Sequence, residues 1–478
     1  ANWLDELSPG QLSDRARLLS LKGYNLVRLG RVETGHRLLS QACERLEREE
    51  AARAPLAEAL IYRSIARRLL GDYPQAVRDA EDALALLEQT GVEMPELADL
   101  TALGLRAKGS ALSMMGMLEP GIEWLQRSLA AYRQAEDAQN VAAVAMDIAI
   151  VYANSGQNED ALTLFRQAHE AWRQLHNLVG QANVLNSLGV HYHQLGQYEK
   201  ALDALVDALD CARRSGYARM EAFSLASLGD LFVDLDMWQV AHEVYGQAYQ
   251  IVQRIDERFL LLYLELAQAA LAWSTGRWDA AYNCLDSAGR LVLDHNSSYE
   301  WGLYRQAMGR YYLAQGNPDA ALEPLNDALT CFLDGGQFPD AARTELLQAL
   351  ALREAGRQQE AYACFLSALQ SINELELRHP IVVAASMAAQ ELAAFSRNGA
   401  QPLLERLMRE VDEFVAALPA LRRSLRHKAS SVLPAVHLGE PTLTIRSLGR
   451  AEVIVNGRTV TNRDWKMKSA RDLFFCFL

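Results

Sequence analysis

The chain has 478 residues, half of them hydrophobic, and its 47 basic and 60 acidic residues give a formal net charge of −13 at pH 7. This balance opposes wrapping of nucleic acid by the body of the protein, because the phosphate backbone is bound through basic side chains. No apolar run approaches the roughly 18 to 20 residues that a membrane span requires, and no secretion signal opens the sequence. We therefore expect a soluble, cytoplasmic protein that contacts no membrane.

The first part of the chain, residues 1–50, is predicted to hold an N-terminal segment and a first helical hairpin. Pro9 and Gly10 form a turn, and a helix is predicted to begin near Asp14 and to run through Leu19 and Leu26. Residues 51–378 are predicted to be a helical solenoid. Its pattern is less regular up to residue 140 and regular from there on.

The regular part is organised by small residues that recur every 40 positions. Glycines occupy the predicted turns at Gly116, Gly156, Gly196, Gly276, Gly316 and Gly356, and the one missing position of the series is Asp236. A small residue follows five positions after each turn, and Gly30 and Gly71 extend the series towards the N-terminus. Nine hairpins are therefore predicted between residue 17 and about residue 370.

One repeat unit, residues 181–209, shows how each hairpin is built. Val184, Leu188 and Tyr192 fall on one face of a helix, and Gly196 caps it. A second helix carries Ala201 and other apolar residues inward. The pattern predicts two antiparallel helices that approach closely at the small residues Gly189 and Ala201.

These residues resemble the tetratricopeptide repeat family, whose motif places Gly and an aromatic residue in the first helix and Ala, Leu and Ala in the second. Gly189, Tyr192, Ala201, Leu205 and Ala208 fit this motif. The usual period is about 34 residues, so a period of 40 is similar to the longer-helix variant in the sensor region of MalT-like, STAND-type signal-transducing regulators. The resemblance implies an all-α, right-handed superhelix. It also implies that a nucleotide-binding module precedes such a region.

The C-terminal part departs from the repeat register. Residues 379–418 are predicted to be a terminal helical cap with helices over 381–395 and 403–418, followed by a basic linker over 419–441. From Leu443 the apolar period changes to two, and Asn456–Gly457 is a strong hairpin signal. Three short strands and a helix beginning near Ser469 are predicted over 442–478.

Residues 442–478 resemble the start of the winged-helix DNA-binding domain of OmpR-like, antibiotic-regulatory activators. In that family a small sheet leads to a first helix that opens with Lys-x-x-Arg-x-Leu, which corresponds here to Lys468, Arg471 and Leu473. The resemblance implies that the recognition helix follows Leu478, so that DNA would be bound only through the complete domain. The alternative is a small β-rich cap.

No catalytic motif occurs in the sequence. A phosphate loop, a dinucleotide-binding fingerprint, a zinc-protease motif and a nucleophile elbow are all missing. The six cysteines are scattered, and His191 and His193 point to different helix faces, which excludes a shared metal ion. We expect a protein that is not an enzyme and that has no cofactor or metal.

The remaining candidate site is the concave surface, which the family resemblance assigns to the first helix of each hairpin. We expect a small-molecule effector or a peptide or protein partner to bind there, since a groove needs a few convergent polar groups among apolar walls. The candidate residues are Asn183, Asn186, His193, Asp230, Tyr263, Trp273, Gln306 and Arg310.

Two functions follow from these expectations. The first is the sensor and partial output region of a bacterial transcriptional regulator, in which an effector in the groove is coupled to a DNA-binding domain. The alternative is a tetratricopeptide protein-interaction scaffold without a DNA-binding role. The sequence is compatible with an oligomer and identifies neither the effector nor the DNA site.

Overall fold

The computed structural model describes residues 16–48, 53–89, 95–255, 257–293, 297–374, 378–393, 395, 402–432, 443–446, 452–455 and 458–459. Within these described residues, eighteen helices lie between residue 16 and residue 374. They are α1 (Ala16–Arg28), α2 (Val32–Leu46), α3 (Arg53–Leu69), α4 (Tyr73–Gln89), α5 (Pro95–Met114), α6 (Leu118–Gln134), α7 (Ala138–Asn154), α8 (Asn158–Gln174), α9 (Leu178–Gln194), α10 (Tyr198–Ser215), α11 (Ala218–Asp234), α12 (Trp238–Ile255), α13 (Arg258–Ser274), α14 (Trp278–Leu293), α15 (Ser298–Ala314), α16 (Pro318–Asp334), α17 (Phe338–Glu354) and α18 (Gln358–Glu374).

The helices pack as nine consecutive pairs, α1 with α2 through α17 with α18. The predicted number of hairpins is thus confirmed, and the described residues between 16 and 374 include no strand. The all-α solenoid predicted from the 40-residue period is the observed fold. None of the described helices combines the length and the apolar character needed to cross a membrane.

The turn within each pair is made by a residue with a left-handed backbone. The predicted glycines have φ between 72° and 88° from Gly30 to Gly356, a region that glycine enters without strain. At Gly196 the amide donates to the carbonyl of His193 at 2.9 Å, which closes the end of α9. Asp236 adopts the same conformation with φ 53° although it carries a side chain.

Small residues allow the two helices of a pair to approach closely. A Cβ atom added at Gly189 would lie 2.7 Å from Cγ of Leu205, and one at Gly109 would lie 2.8 Å from the carbonyl oxygen of Gly121. Ala201 and Leu205 are completely buried. The close approach predicted at Gly189 and Ala201 therefore has a direct steric cause.

The array coils far enough for its first hairpins to touch its last ones. Arg258 at the start of α13 donates to Glu33 of α2 at 2.8 Å. A Cβ atom added at Gly71 would lie 2.9 Å from the hydroxyl of Ser297, and Gly116 and Gly336 meet backbone to backbone. These contacts join successive turns of one superhelix.

The C-terminal helices differ in length from the prediction. They are α19 (His379–Ser386), α20 (Ala389–Ala393) and α21 (Pro402–Val432). The predicted linker over 419–441 is therefore helical as far as Val432, with Pro419 inside the helix. The helix continues because Phe414, Leu418 and Leu425 form one apolar stripe that is buried against the repeats.

Three short strands follow, β1 (Leu443–Arg446), β2 (Glu452–Val455) and β3 (Arg458–Thr459). They form an antiparallel sheet in the order β1-β2-β3, with Val455 paired to Arg458 across the predicted turn. The strands agree with the predicted change of period. Residues 1–15 and the helix predicted from Ser469 lie outside the described residues, and the winged-helix assignment stays a prediction.

Candidate functional site on the concave face

The inner layer of the superhelix is formed by the first helix of each pair. First helices of neighbouring pairs, such as α9 and α11 or α13 and α15, contact one another directly. The most extensive contacts of the second helices are with the first helices before and after them. All eight predicted site residues lie on the first helices α9, α11, α13 and α15.

Asp230 is the centre of a polar cluster on α11. The hydroxyl of Tyr245 donates to its Oδ1 at 2.5 Å, and Tyr263 of α13 also donates to this carboxylate. Burial raises the pKa of Asp230 to about 6, although the two tyrosine hydrogen bonds act in the opposite direction. A carboxyl group with this pKa changes its charge close to neutral pH.

His193 of α9 joins this cluster through a residue that the sequence reading did not select. Its Nε2 donates to Oδ2 of Asp234 at 2.8 Å. Burial alone lowers the pKa of His193, but the hydrogen bond and the charge of Asp234, together with the charge of Asp230, outweigh it and hold the pKa above its usual value. Asp234 lies one helical turn after Asp230, and that spacing is the sequence signal that identifies it.

Arg310 of α15 carries positive charge on the same inner layer. Its guanidinium lies over the ring of Trp273, 5.6 Å from the centroid. Burial, followed by the charge of Arg343, lowers the pKa of Arg310 to about 10. Among the described residues no carboxylate forms an ion pair with Arg310.

Arg343 of α17 is a second inner arginine that the sequence reading missed. Its closest carboxylate is Oδ1 of Asp340 at 4.0 Å, and its Nε is buried without a hydrogen-bond partner in the described structure. It lies 40 positions after Leu303 of α15, a position that the family resemblance places on the concave surface, so that extending the repeat register by one hairpin identifies it. Two neighbouring guanidinium groups with one distant carboxylate leave a local positive charge.

The other predicted residues do not join these clusters. The amide of Gln306 donates to the hydroxyl of Thr344 at 2.7 Å, and the side chain is buried between α15 and α17. Asn183 donates to the carbonyl of Val179 on its own helix at 2.9 Å. Asn186 accepts from the hydroxyl of Ser227 at 3.5 Å. Of these three side chains, that of Gln306 is buried and those of the two asparagines remain partly exposed.

The concave face is thus divided by charge. Carboxylates with a histidine lie on α9 and α11, whereas two arginines and an indole lie on α13, α15 and α17. Such an arrangement can bind a polar ligand with charges of both signs. Among the described residues no group of three or more His, Cys, Asp or Glu side chains is placed to hold a metal ion.

A separate cavity of about 970 Å³ lies between the first hairpins and the last. Its lining includes Glu33, His36, Tyr73, Arg258 and Tyr299, and none of the eight predicted site residues. It is a gap between successive superhelical turns, bridged at one side by the ion pair of Arg258 with Glu33.

The family model of the tetratricopeptide repeat matches residues 100–174 and 180–254. The chain therefore contains tetratricopeptide repeats, as predicted. The comparison with curated protein sequences finds no match.

Several solved structures are similar to this chain. A Rap protein complexed with competence and sporulation factor has a TM-score of 0.55 and 16% identity, over 76% of this chain and 98% of that chain. Aspartyl phosphate phosphatase F from Bacillus subtilis has a TM-score of 0.49 and 14% identity, over 78% and 96%. The apo quorum sensor NprR from B. thuringiensis has the same TM-score and identity, over 74% and 97%. At this identity the likeness to the Rap protein shows a common fold.

Proposed function

We propose that the chain is the sensor region of a bacterial transcriptional regulator, in which the repeats bind a short peptide or another small polar effector on the concave face. The observation that supports this most directly is the pair of inner arginines, Arg310 and Arg343. Two like charges held together with one carboxylate at 4.0 Å are unfavourable unless an anionic group joins them. A peptide carboxylate or an acidic side chain supplies such a group.

The remaining polar groups support a ligand that extends beyond this pair. The buried ring of Trp273 lies beneath the guanidinium of Arg310, and the carboxylates Asp230 and Asp234 suit a positively charged group on the ligand. The Rap protein of similar fold was crystallised with competence and sporulation factor. As part of the proposal, we infer that the repeats of this chain likewise bind a factor.

Thermal shift assays with synthetic short peptides test the binding. The set varies the charge of the side chains and includes versions with an amidated C-terminus. A ligand at one hundred times its Kd stabilises the folded chain by about 2.7 kcal/mol. We expect free carboxylates to increase the shift, and we expect Arg310→Ala combined with Trp273→Ala to abolish it while the far-UV spectrum is unchanged.

Arg305→Ala is the matched control. Arg305 lies on the same helix but faces α16, where it forms ion pairs of 2.7 Å with Glu323 and Asp327. Its loss should leave ligand binding intact. Full binding by the double variant at positions 273 and 310 would place the ligand elsewhere and contradict the proposed site.

The proposal also assigns residues 442–478 to the beginning of a winged-helix output domain. Its support is the order of three short antiparallel strands after the helical repeats. The sequence encoded downstream of Leu478 tests this assignment of an output domain. A recognition helix there supports the regulator, and its absence supports the protein-interaction scaffold.

A further inference from the structure

The one repeat turn without glycine is the point where the C-terminal helix α21 docks. Asp236 keeps the left-handed backbone of the other turns, with φ 53°, a conformation that costs less for glycine than for any residue with a side chain. Its carboxylate accepts a hydrogen bond from the guanidinium of Arg422 on α21. The Nε of Arg422 donates to the carbonyl of Leu235 at 2.6 Å. The side chain at this turn therefore makes a contact that glycine cannot make.

A second contact fixes the C-terminal helices to the preceding turn, between α9 and α10. The hydroxyl of Tyr198 and Nε2 of His379 share a hydrogen bond of 2.8 Å. The ring of Tyr198 also stacks on Phe414 of α21, with ring centroids 6.1 Å apart. A Cβ atom added at Gly196 would lie 2.9 Å from Nδ1 of His379. The C-terminal helices thus contact two successive turns of the repeat array.

Both docking contacts are adjacent to the concave cluster. His193 forms a hydrogen bond of 2.8 Å with Asp234, and its ring centroid lies 5.4 Å from that of Tyr198. Tyr198 is the residue that contacts His379 and Phe414. Asp234 ends α11 two residues before Asp236, which binds Arg422. The same short segment therefore faces the concave site on one side and α21 on the other.

We propose that α21 is a latch whose docking is controlled by the concave site. A ligand that takes the carboxylate of Asp234 away from His193 shifts the end of α11 and the ring of Tyr198, and thereby releases α21 from both turns. Since α21 precedes the strands β1 to β3, its release changes how the C-terminal sheet is presented. A ligand achieves this only through different affinities for the docked and released states.

The docking contacts do not rest on the proposed function, whereas their control by a ligand does. The first experiment therefore needs no ligand. Hydrogen–deuterium exchange by mass spectrometry is measured over residues 402–432 in the full chain. Asp236→Gly restores the residue found at the other turns, so the hairpin of α11 and α12 keeps its fold while the acceptor for Arg422 is lost.

We expect Asp236→Gly and Arg422→Ala to increase exchange in α21 about ten-fold, because each removes a charge-assisted hydrogen bond. Exchange in α11 and α12 should stay unchanged. Arg423→Ala, at the exposed neighbouring position, is the matched control and should have no effect. If Asp236→Gly and Arg422→Ala both leave exchange in α21 within two-fold of the unmodified chain, the latch is refuted.

The second experiment tests the coupling to the concave site. His193→Ala should also increase exchange in α21, since it removes the partner of Asp234 and a neighbour of Tyr198. His242→Ala, at an exposed position of α12, is its control. Unchanged exchange in α21 for His193→Ala, beside increased exchange for Asp236→Gly, would overturn control by the concave site.

The same set of short peptides then separates this inference from the proposed function. A peptide that stabilises the chain and increases exchange in α21 supports both. A peptide that stabilises the chain through Arg310 and leaves α21 unchanged overturns the latch control alone. The absence of any stabilising peptide contradicts the proposed function, and the ligand-free variants still decide whether α21 docks as described.

Discussion

The raised pKa of Asp230 makes a quantitative prediction about the stability of the repeat. In the folded chain the pKa is about 6, against 3.8 for an ordinary Asp. The folded state therefore holds the proton more tightly than the unfolded state. The stabilisation of the fold by this proton is complete below the pKa of Asp230 in the unfolded chain. It is lost as the pH rises through the pKa of Asp230 in the folded chain. Asp230→Asn removes this dependence, because its amide stays neutral and still accepts from Tyr245.

The magnitude follows from the difference between the two pKa values. A difference of roughly 2.2 pKa units corresponds to at most about 3 kcal/mol over the whole titration, at about 1.36 kcal/mol for each unit. Between pH 5.0 and pH 7.5 the unfolded carboxyl is already ionised and the folded one still titrates. The expected change over that range is about 1.4 kcal/mol.

Urea unfolding followed by circular dichroism at 222 nm measures this effect at several pH values between 5.0 and 7.5. We expect the free energy of unfolding of Asp230→Asn, relative to the unmodified chain, to increase by about 1.4 kcal/mol from the lower to the higher pH. Asp210→Asn, at an exposed position of α10, controls for the loss of one charge. A difference that is constant with pH within about 0.3 kcal/mol, which is far below the expected 1.4 kcal/mol, would refute the reasoning.

Four further predictions concern packing and charge. Replacing the completely buried Ala201 by Trp should force α9 and α10 apart and cost about 1 to 3 kcal/mol; an unchanged urea midpoint contradicts it. Gly246→Ala should raise the midpoint, with a gain of about 0.5 to 1 kcal/mol, because nothing lies within 4 Å of the added Cβ. Gly109→Ala should lower the midpoint, since its Cβ would lie 2.8 Å from the carbonyl oxygen of Gly121. The net charge of −13 predicts weak binding of this 478-residue chain to duplex DNA in fluorescence anisotropy, and nanomolar, sequence-selective binding would contradict it.

The sequence by itself determined the repeated hairpins, because their causes are local. Gly196 forms a turn through its own backbone freedom, and the apolar face that includes Leu188 repeats with the helical period. Each hairpin then buries its face against its nearest neighbours. The number of pairs and the positions of their turns could therefore be predicted from residues that lie within one repeat of each other. The choice of α9, α11, α13 and α15 as inner helices came from the family resemblance.

Only the tertiary structure decided which of the inner side chains meet. The charge of Arg343, in the next hairpin, lowers the pKa of Arg310, and the amide of Gln306 donates a hydrogen bond to Thr344 of that hairpin. Neither interaction can be inferred from one helix alone. The pairing of Asp234 with His193 could not be predicted, because His193 lies in the preceding hairpin. Spacing within a helix shows the face on which a side chain lies. It does not show which residue of a neighbouring hairpin reaches it.

The same limit applies to the C-terminal helices. In the sequence Pro419 suggests an end to the helix, yet Leu425 is completely buried and α21 continues to Val432. Packing of α21 against α10 outweighs the local preference of a proline. In the sequence, Asp236 is only the position where the series of turn glycines is interrupted. In the structure, the coiling of the superhelix brings Arg422 next to it. Contacts between residues so far apart depend on the summed geometry of all the intervening repeats, which no local pattern encodes.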